Sequence, residues 1–326
     1  MTRNGRVCKL LGLTNFKPKS FIYNYAFPGE EKELCALEMR SFFGEDTESS
    51  VLESTLKINP SRSPFMRGRM DVILEGEQLE DLIEQMKKID LTGSTFKVMY
   101  VKVTGPDKVD FEERRRIERE VGLQIPGEPE LVNPDVLFGI VHVNGRWAFG
   151  EYHSSEPVWL NHQQKPHSYS TSLGTRVARA VANIAVPDPA GVKAIDPCCG
   201  IGTVVVEALS MGIDIVASDI NPLILPGTRE NIAHFGYATE VAFKDIRKVT
   251  GNYDVAIIDM PYNLCSVITS EEQLEMLKST YGFADKVVIV TIEPIDSIIG
   301  NAGFEIVDRC VVRKGNFERE IIVCKK

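Results

Sequence analysis

The chain has 326 residues, 43% of them hydrophobic and 25% charged, enough apolar material for two ordinary domain cores. Its 37 basic and 46 acidic residues give a net charge of −9, and neither half is basic, which excludes a protein that grips nucleic acid by bulk charge. No apolar run approaches the ~20 residues of a membrane span. The seven cysteines form no CxxC pair and the five histidines no HxxxH or HExxH pair, so neither a disulfide framework nor a metal site is expected.

The opening MTRNGRVCKLLGLTNF carries an apolar patch too short for a signal peptide, and a cytoplasmic protein is expected. FPGEEKELCALEMRSFFG (27–44) spaces Leu34, Leu37, Glu38 and Phe42 as a helix, and EQLEDLIEQMKKI (77–89) is a clearer amphipathic one. TFKVMYVKVT (95–104) alternates as a strand. FEERRRIEREVG (111–122) reads as a charged helix whose acids and arginines stand at helix-neighbour spacing, a solvated face of local ion pairs. DVLFGIVHVNGRWAFGEY (135–152) is a hairpin about Asn144-Gly145. A linker rich in His, Pro, Gln and Ser then leads to a helix in SLGTRVARAVANIA (172–185).

From about residue 190 the pattern changes to short apolar runs alternating with helical stretches: VKAID (192–196), DIVASDI (214–220), EVAFKDI (240–246), YDVAIID (253–259) and KVVIVTI (286–292). Strands separated by helices predict an α/β fold with a doubly wound, mostly parallel sheet. Two β-rich runs about KGN near the end predict an antiparallel hairpin closing it. The expected organisation is a small α+β domain at 1–60, a second α+β domain at 61–155, a linker at 156–171 and the doubly wound domain at 172–326.

The first strand of the back half opens into DPCCGIGT (196–203), where Gly200 and Gly202 allow a tight strand-to-helix turn ending at Thr203. A dinucleotide loop would place Gly or Ala where Val205 stands, and an acid before the glycines would repel pyrophosphate. Asp196 suits the ammonium of a methionine moiety. Asp219, in ASDINP with Asn221, suits a ribose diol, and Asp245, in FKDIR, an adenine amine. Three acids at three successive strand ends describe S-adenosylmethionine better than NAD. At the fourth strand end, DMPY brings Asp259, Pro261 and Tyr262 beside the methyl donor. The acid and a backbone carbonyl near Met260 or Pro261 would hold the N–H bonds of an exocyclic base amine, Pro261 would stiffen the turn, and Tyr262 would stack the base.

DPCCGIGT, SDIN, KDIR and DMPYN in this order resemble the class I S-adenosylmethionine-dependent amino-methyltransferases, whose usual fourth motif is D/N-P-P-Y; here Met260 takes the second place. LVNPDVLFGIVHV resembles the end of a THUMP domain, and SLGTRVARAVANIAV the helix preceding the cofactor strand in the RNA-modifying branch. THUMP followed by methyltransferase resembles the tRNA guanosine-N2 methyltransferases acting on G10 or G6. The resemblance implies a Rossmann-like catalytic domain, S-adenosylmethionine as cofactor and an RNA partner, most simply tRNA. Candidate RNA contacts are Arg62, Arg67 and Arg69 in SRSPFMRGRM, with Lys97 and Lys102 on the following strand. Amino-methylation of adenine, of rRNA guanosine, or an inactive methyltransferase-like RNA-binding protein are the alternatives. A cysteine-nucleophile pyrimidine methyltransferase would need Pro before Cys265, where Leu264 stands. Nothing identifies a protein partner.

Overall fold

The computed structural model describes residues 17–46, 49–104, 108–169, 172–261, 268–314 and 317–326. They fall into two units that interleave along the chain. The first holds the described residues up to Ala26, those between 47 and 61, and Met66–Glu156; the second holds Phe27–Asp46, Arg62–Phe65 and Pro157–Lys326.

Strand β1 (Ser20–Tyr25) belongs to the first unit, but the next element, α1 (Lys32–Phe43), belongs to the second. The chain returns with β2 (Val51–Ser54) and β3 (Met66–Gly76), then α2 (Leu79–Met86), β4 (Thr95–Tyr100), α3 (Phe111–Gly122), β5 (Glu128–Pro129), β6 (Val136–Val143) and β7 (Arg146–Ser154). These strands form one seven-stranded sheet in the order β2-β1-β3-β7-β6-β4-β5. A separate domain at 1–60 is therefore corrected: β1 pairs with both β2 and β3, and its adjacent residues Ile22 and Tyr23, on opposite faces of the strand, are both buried. One core cluster joins α2 and α3 to the sheet through Leu82, Met86, Ile117 and Val121 against Phe96, Phe138 and Phe149. Helix α2 starts with a reciprocal Gln78–Asp81 capping box, and Asp110 caps α3 by accepting the Glu113 amide at 2.9 Å. The hairpin turns where expected, with positive φ at Asn144 and Gly145.

The second unit continues with α4 (Thr175–Ala185), β8 (Lys193–Asp196), α5 (Thr203–Ser210), β9 (Asp214–Asp219), α6 (Leu225–His234), β10 (Val241–Phe243), β11 (Tyr253–Asp259), α7 (Ser270–Phe283), β12 (Ala284–Thr291), α8 (Asp296–Ala302), β13 (Glu305–Lys314) and β14 (Phe317–Lys325). Its sheet runs β10-β9-β8-β11-β12-β14-β13, with five parallel strands and β14 antiparallel to β12 and β13. This is the doubly wound sheet with a terminal hairpin that the alternation of runs predicts. The strand order reverses beside β8, which opens a crevice at the carboxyl ends of the strands. Among the described residues, no helix is long and apolar enough to cross a membrane.

Helix α1 packs against α4 and β13, and a buried polar network stitches it in. Glu38 accepts from Ser63 Oγ and from Asn183 Nδ2 at 2.7 Å, and burial lifts its carboxyl to about 7. Arg179 donates Nε to the Arg62 carbonyl at 2.7 Å and Nη1 to Glu207 Oε2 at 2.8 Å. The other Glu207 oxygen meets His162 Nδ1 at 2.8 Å. Every member thus has a partner, the condition on which buried charge is tolerated.

Candidate active site

The turn after β8 is built around backbone that side chains seldom permit. Gly200 and Gly202 have φ of +51° and +77°, and a Cβ at Gly202 would lie 2.9 Å from Thr228 Cγ2. Helix α6 holds the turn from behind: Thr228 Oγ1 donates to the Gly200 carbonyl at 2.6 Å, and Asn231 Nδ2 to the Ile201 carbonyl at 2.9 Å. In front, Asp219 accepts from the Gly200 amide and the Asn221 amide, both at 2.9 Å. Each carboxylate oxygen keeps a further lone pair, so Asp219 remains able to take a vicinal diol.

Asp196 is 3% exposed and accepts the Cys198 amide at 3.2 Å. Burial raises its pKa well above the usual carboxylate range, and the nearby charges of Asp259 and Asp219 push it further. Such a clustering of acids favours a cationic ligand. Asp245 differs: its carboxylate is held by Arg247 through Nε, Nη2 and the backbone amide, which keeps its pKa low. Arg247 also reaches Glu275 at 3.1 Å. An adenine amine at Asp245 would share acceptor positions already engaged by that guanidinium.

Two chambers run along the strand ends. One, about 380 Å³, is lined by Asp196, Gly200, Thr203, Asn221, Asp259, Met260 and Pro261, with Tyr169, Ser172 and Leu173 on one side. The other, about 420 Å³, is lined by Asp219, Ile220, Asn221, Asp245, Ile246, Arg247, Asp259 and Pro261, with Glu272 and Met276 of α7. Both share Cys198, Asn221, Ile224, Asp259 and Pro261, so Asp259 stands where they meet. Tyr262 lies outside the described residues, as does Cys265.

Sequence reasoning missed the contacts made by residues 165–169. Lys165 Nζ donates to Thr203 Oγ1 at 2.9 Å, and the His167 backbone exchanges two hydrogen bonds with the Asn231 side chain at 2.9 and 3.1 Å. Tyr169, two residues on, lines the first chamber. No periodicity or spacing marks these residues, because backbone and isolated polar contacts hold them.

The candidate RNA contacts separate by environment. Arg62 is corrected: its guanidinium donates to the carbonyls of Val186, at 2.9 Å, and Pro187, and burial lowers its pKa. Arg69 is corrected likewise, being buried against Asp71 and the Ile58 carbonyl. Both arginines satisfy carbonyls or carboxylates of their own unit. Arg67 and Lys102 are exposed, and Lys97 is half-buried with Nζ on the Leu131 carbonyl at 2.8 Å. On the 111–122 helix, Arg116 pairs with Glu113 and Glu120, and Arg115 with Glu118, as a solvated charged face does. Among the described residues, no group of His, Cys, Asp or Glu could hold a metal ion.

Sheet order, glycine turn and acidic strand ends together define an S-adenosylmethionine-dependent methyltransferase domain of class I topology. Residues 163–287 match the family model described as RMKL-like, methyltransferase domain. The chain is 29% identical over 274 residues to a tRNA (guanine(10)-N2)-dimethyltransferase of Methanothermobacter thermautotrophicus, covering 76% of this chain and 80% of that protein. Among solved structures it is similar to TrmN from Thermus thermophilus, with 16% identity, 94% and 99% of the two chains covered and a TM-score of 0.49. Magnesium protoporphyrin IX methyltransferase from Synechocystis with bound S-adenosylmethionine is also similar, at 15% identity, 51% and 90% coverage and a TM-score of 0.40.

Proposed function

We propose that the protein methylates the exocyclic N2 amine of guanosine in tRNA. The observation that carries this reading is Asp259 where both chambers meet, followed by Pro261 and flanked by the acids of three neighbouring strands. The donor set fits the cofactor: buried Asp196 suits an ammonium, Asp219 a ribose diol, and Ile220 and Ile246 the faces of an adenine. S-adenosylmethionine supplies, when bound, a methyl group on a positively charged sulfur. Gly200 and Gly202 let the backbone come close to a ligand, with Thr203 and Asn221 bordering it.

Asp259 accepts an N–H of the target amine and aims the nitrogen lone pair into the first chamber. Its charge favours the positive charge developing on that nitrogen and holds the proton until water removes it. Pro261 limits the freedom of the turn, and Tyr262 stacks the base. The THUMP-like first unit binds the RNA, with exposed Arg67 and Lys102 and half-buried Lys97 as its cationic contacts. A tRNA substrate agrees with an enzyme working in the cytoplasm.

The test combines purified protein, labelled S-adenosylmethionine and unmodified tRNA, followed by digestion to nucleosides and mass analysis. Label in N2-methylguanosine or its dimethyl form is expected. Label in N6-methyladenosine would overturn the guanine assignment, and no transfer to any RNA would overturn the activity.

A further inference from the structure

We infer that Lys165 fixes the Thr203 hydroxyl as a donor to the carboxylate at the amino-acid end of S-adenosylmethionine and supplies that carboxylate's counter-charge. The inference rests on the cofactor named above and not on which base is methylated. Lys165 is half-buried, and its Nζ donates to Thr203 Oγ1 at 2.9 Å. Among the described residues it forms no ion pair: Glu207, whose charge reaches it, has its two oxygens engaged by His162 and Arg179. Loss of water without a counter-ion lowers the pKa of the ammonium.

An ammonium can only donate, so Thr203 Oγ1 accepts from it and the hydroxyl hydrogen is left to point elsewhere. Thr203 is 6% exposed and lines the first chamber, and no partner among the described residues takes that hydrogen. Ser172, the other aliphatic hydroxyl of the chamber, gives its own hydrogen to the Tyr169 carbonyl at 2.7 Å. Thr203 is also the first residue of α5, and the capping residue Gly202 has no side chain with which to satisfy the opening amides. Those amide hydrogens, at the positive end of the helix, favour an anion at the same place. A buried unspent donor, an ammonium lacking a counter-ion and an open helix start thus converge at Thr203, in a chamber that also holds the acids Asp196 and Asp259. A phosphate would be repelled by those acids. An α-amino acid, whose two charges sit on one carbon, suits both features: its ammonium meets Asp196 and its carboxylate meets Thr203.

The test is calorimetric titration, without RNA, of the parent and of Lys165→Met. The ligands are S-adenosylmethionine and its decarboxylated form, which keeps the ammonium and the sulfonium. The parent is expected to bind the decarboxylated form more weakly. Lys165→Met is expected to weaken S-adenosylmethionine by roughly 10–150-fold while changing the Kd for the decarboxylated form less than about twofold. Thr203→Val should show the same selectivity. Equal affinity of the parent for the two ligands would overturn the proposal, as would an equal loss for both in Lys165→Met, the mark of a merely structural role. A fall in tRNA affinity in Lys165→Met with the ligand preference intact would assign the cation to an RNA phosphate and overturn it as well. Should Lys165→Met not fold, Lys165→Gln decides, since it loses the charge but can still donate. A narrowed preference for the carboxylated ligand then supports the proposal, and an unchanged one refutes it. A protein that passes these titrations yet leaves guanosine unmethylated would sink the functional reading alone.

Discussion

Asp196→Asn should raise stability while weakening cofactor binding. The folded protein holds a proton on this carboxyl more tightly than the unfolded chain does, because burial and the charges of Asp259 and Asp219 disfavour the anion. Stability therefore falls as pH climbs from the unfolded carboxylate pKa through the raised folded one. Each unit of that rise costs about 1.4 kcal/mol. For a unit of this size, about 2–4 °C of melting temperature accompanies each kcal/mol. Without ligand at pH 7.5, Asp196→Asn should then melt about 3–6 °C higher for every unit of rise, and the gain should vanish towards pH 4. The same change removes a charge-assisted contact worth about 1.5–3 kcal/mol, or roughly 10–150-fold in Kd for S-adenosylmethionine. Thermal denaturation from pH 4 to 8.5 and calorimetric titration with the cofactor measure both effects. A variant that melts below the parent at pH 7.5, or binds the cofactor equally well, would refute the reasoning.

Three further outcomes are expected. Glu207→Ala, which leaves buried Arg179 and His162 without their shared carboxylate, should cost about 3–5 kcal/mol in chemical denaturation, whereas Arg179→Met with Glu207→Leu should recover most of it. Burial lowers the Lys286 ammonium to about 8, so the folded state sheds its proton before the unfolded chain does. Stability should rise between about pH 8 and 10.5 relative to Lys286→Met, by an amount on the order of 2–3 kcal/mol read from urea midpoints. Arg67→Ala with Lys102→Ala should weaken tRNA binding and lower its salt slope by about 1–2, while leaving the Kd for S-adenosylmethionine unchanged.

The acids at 196, 219, 245 and 259 were legible because each closes an apolar run, and strands in a doubly wound sheet deliver their last residues to one edge. Legibility ended where partners are backbone atoms far away in sequence. Nothing about Arg62 announces that carbonyls at 186 and 187 consume its guanidinium, and a basic, exposed reading of SRSPFMRGRM fails there for that reason. Asp245 shows a milder form: its strand-end position was readable, whereas its engagement by Arg247 two residues on was not. Helix α1 was foreseen as a helix from its apolar spacing, but amphipathicity reveals only that a face is buried, not against which element.

The interleaving of the two units also has a consequence in time. Glu38 and its partner Asn183 are separated by 145 residues, so at ordinary synthesis rates α1 leaves the ribosome roughly 7–30 s before the helix that receives it. During that interval its apolar face must be sheltered by something other than its final neighbours. The catalytic unit therefore cannot close until almost the whole chain has been made, and a fragment beginning after residue 156 would lack one of its own helices. Synthesis order thus makes completion of the second unit wait on two of its own early segments, α1 and Arg62–Phe65, which are made before most of the first unit.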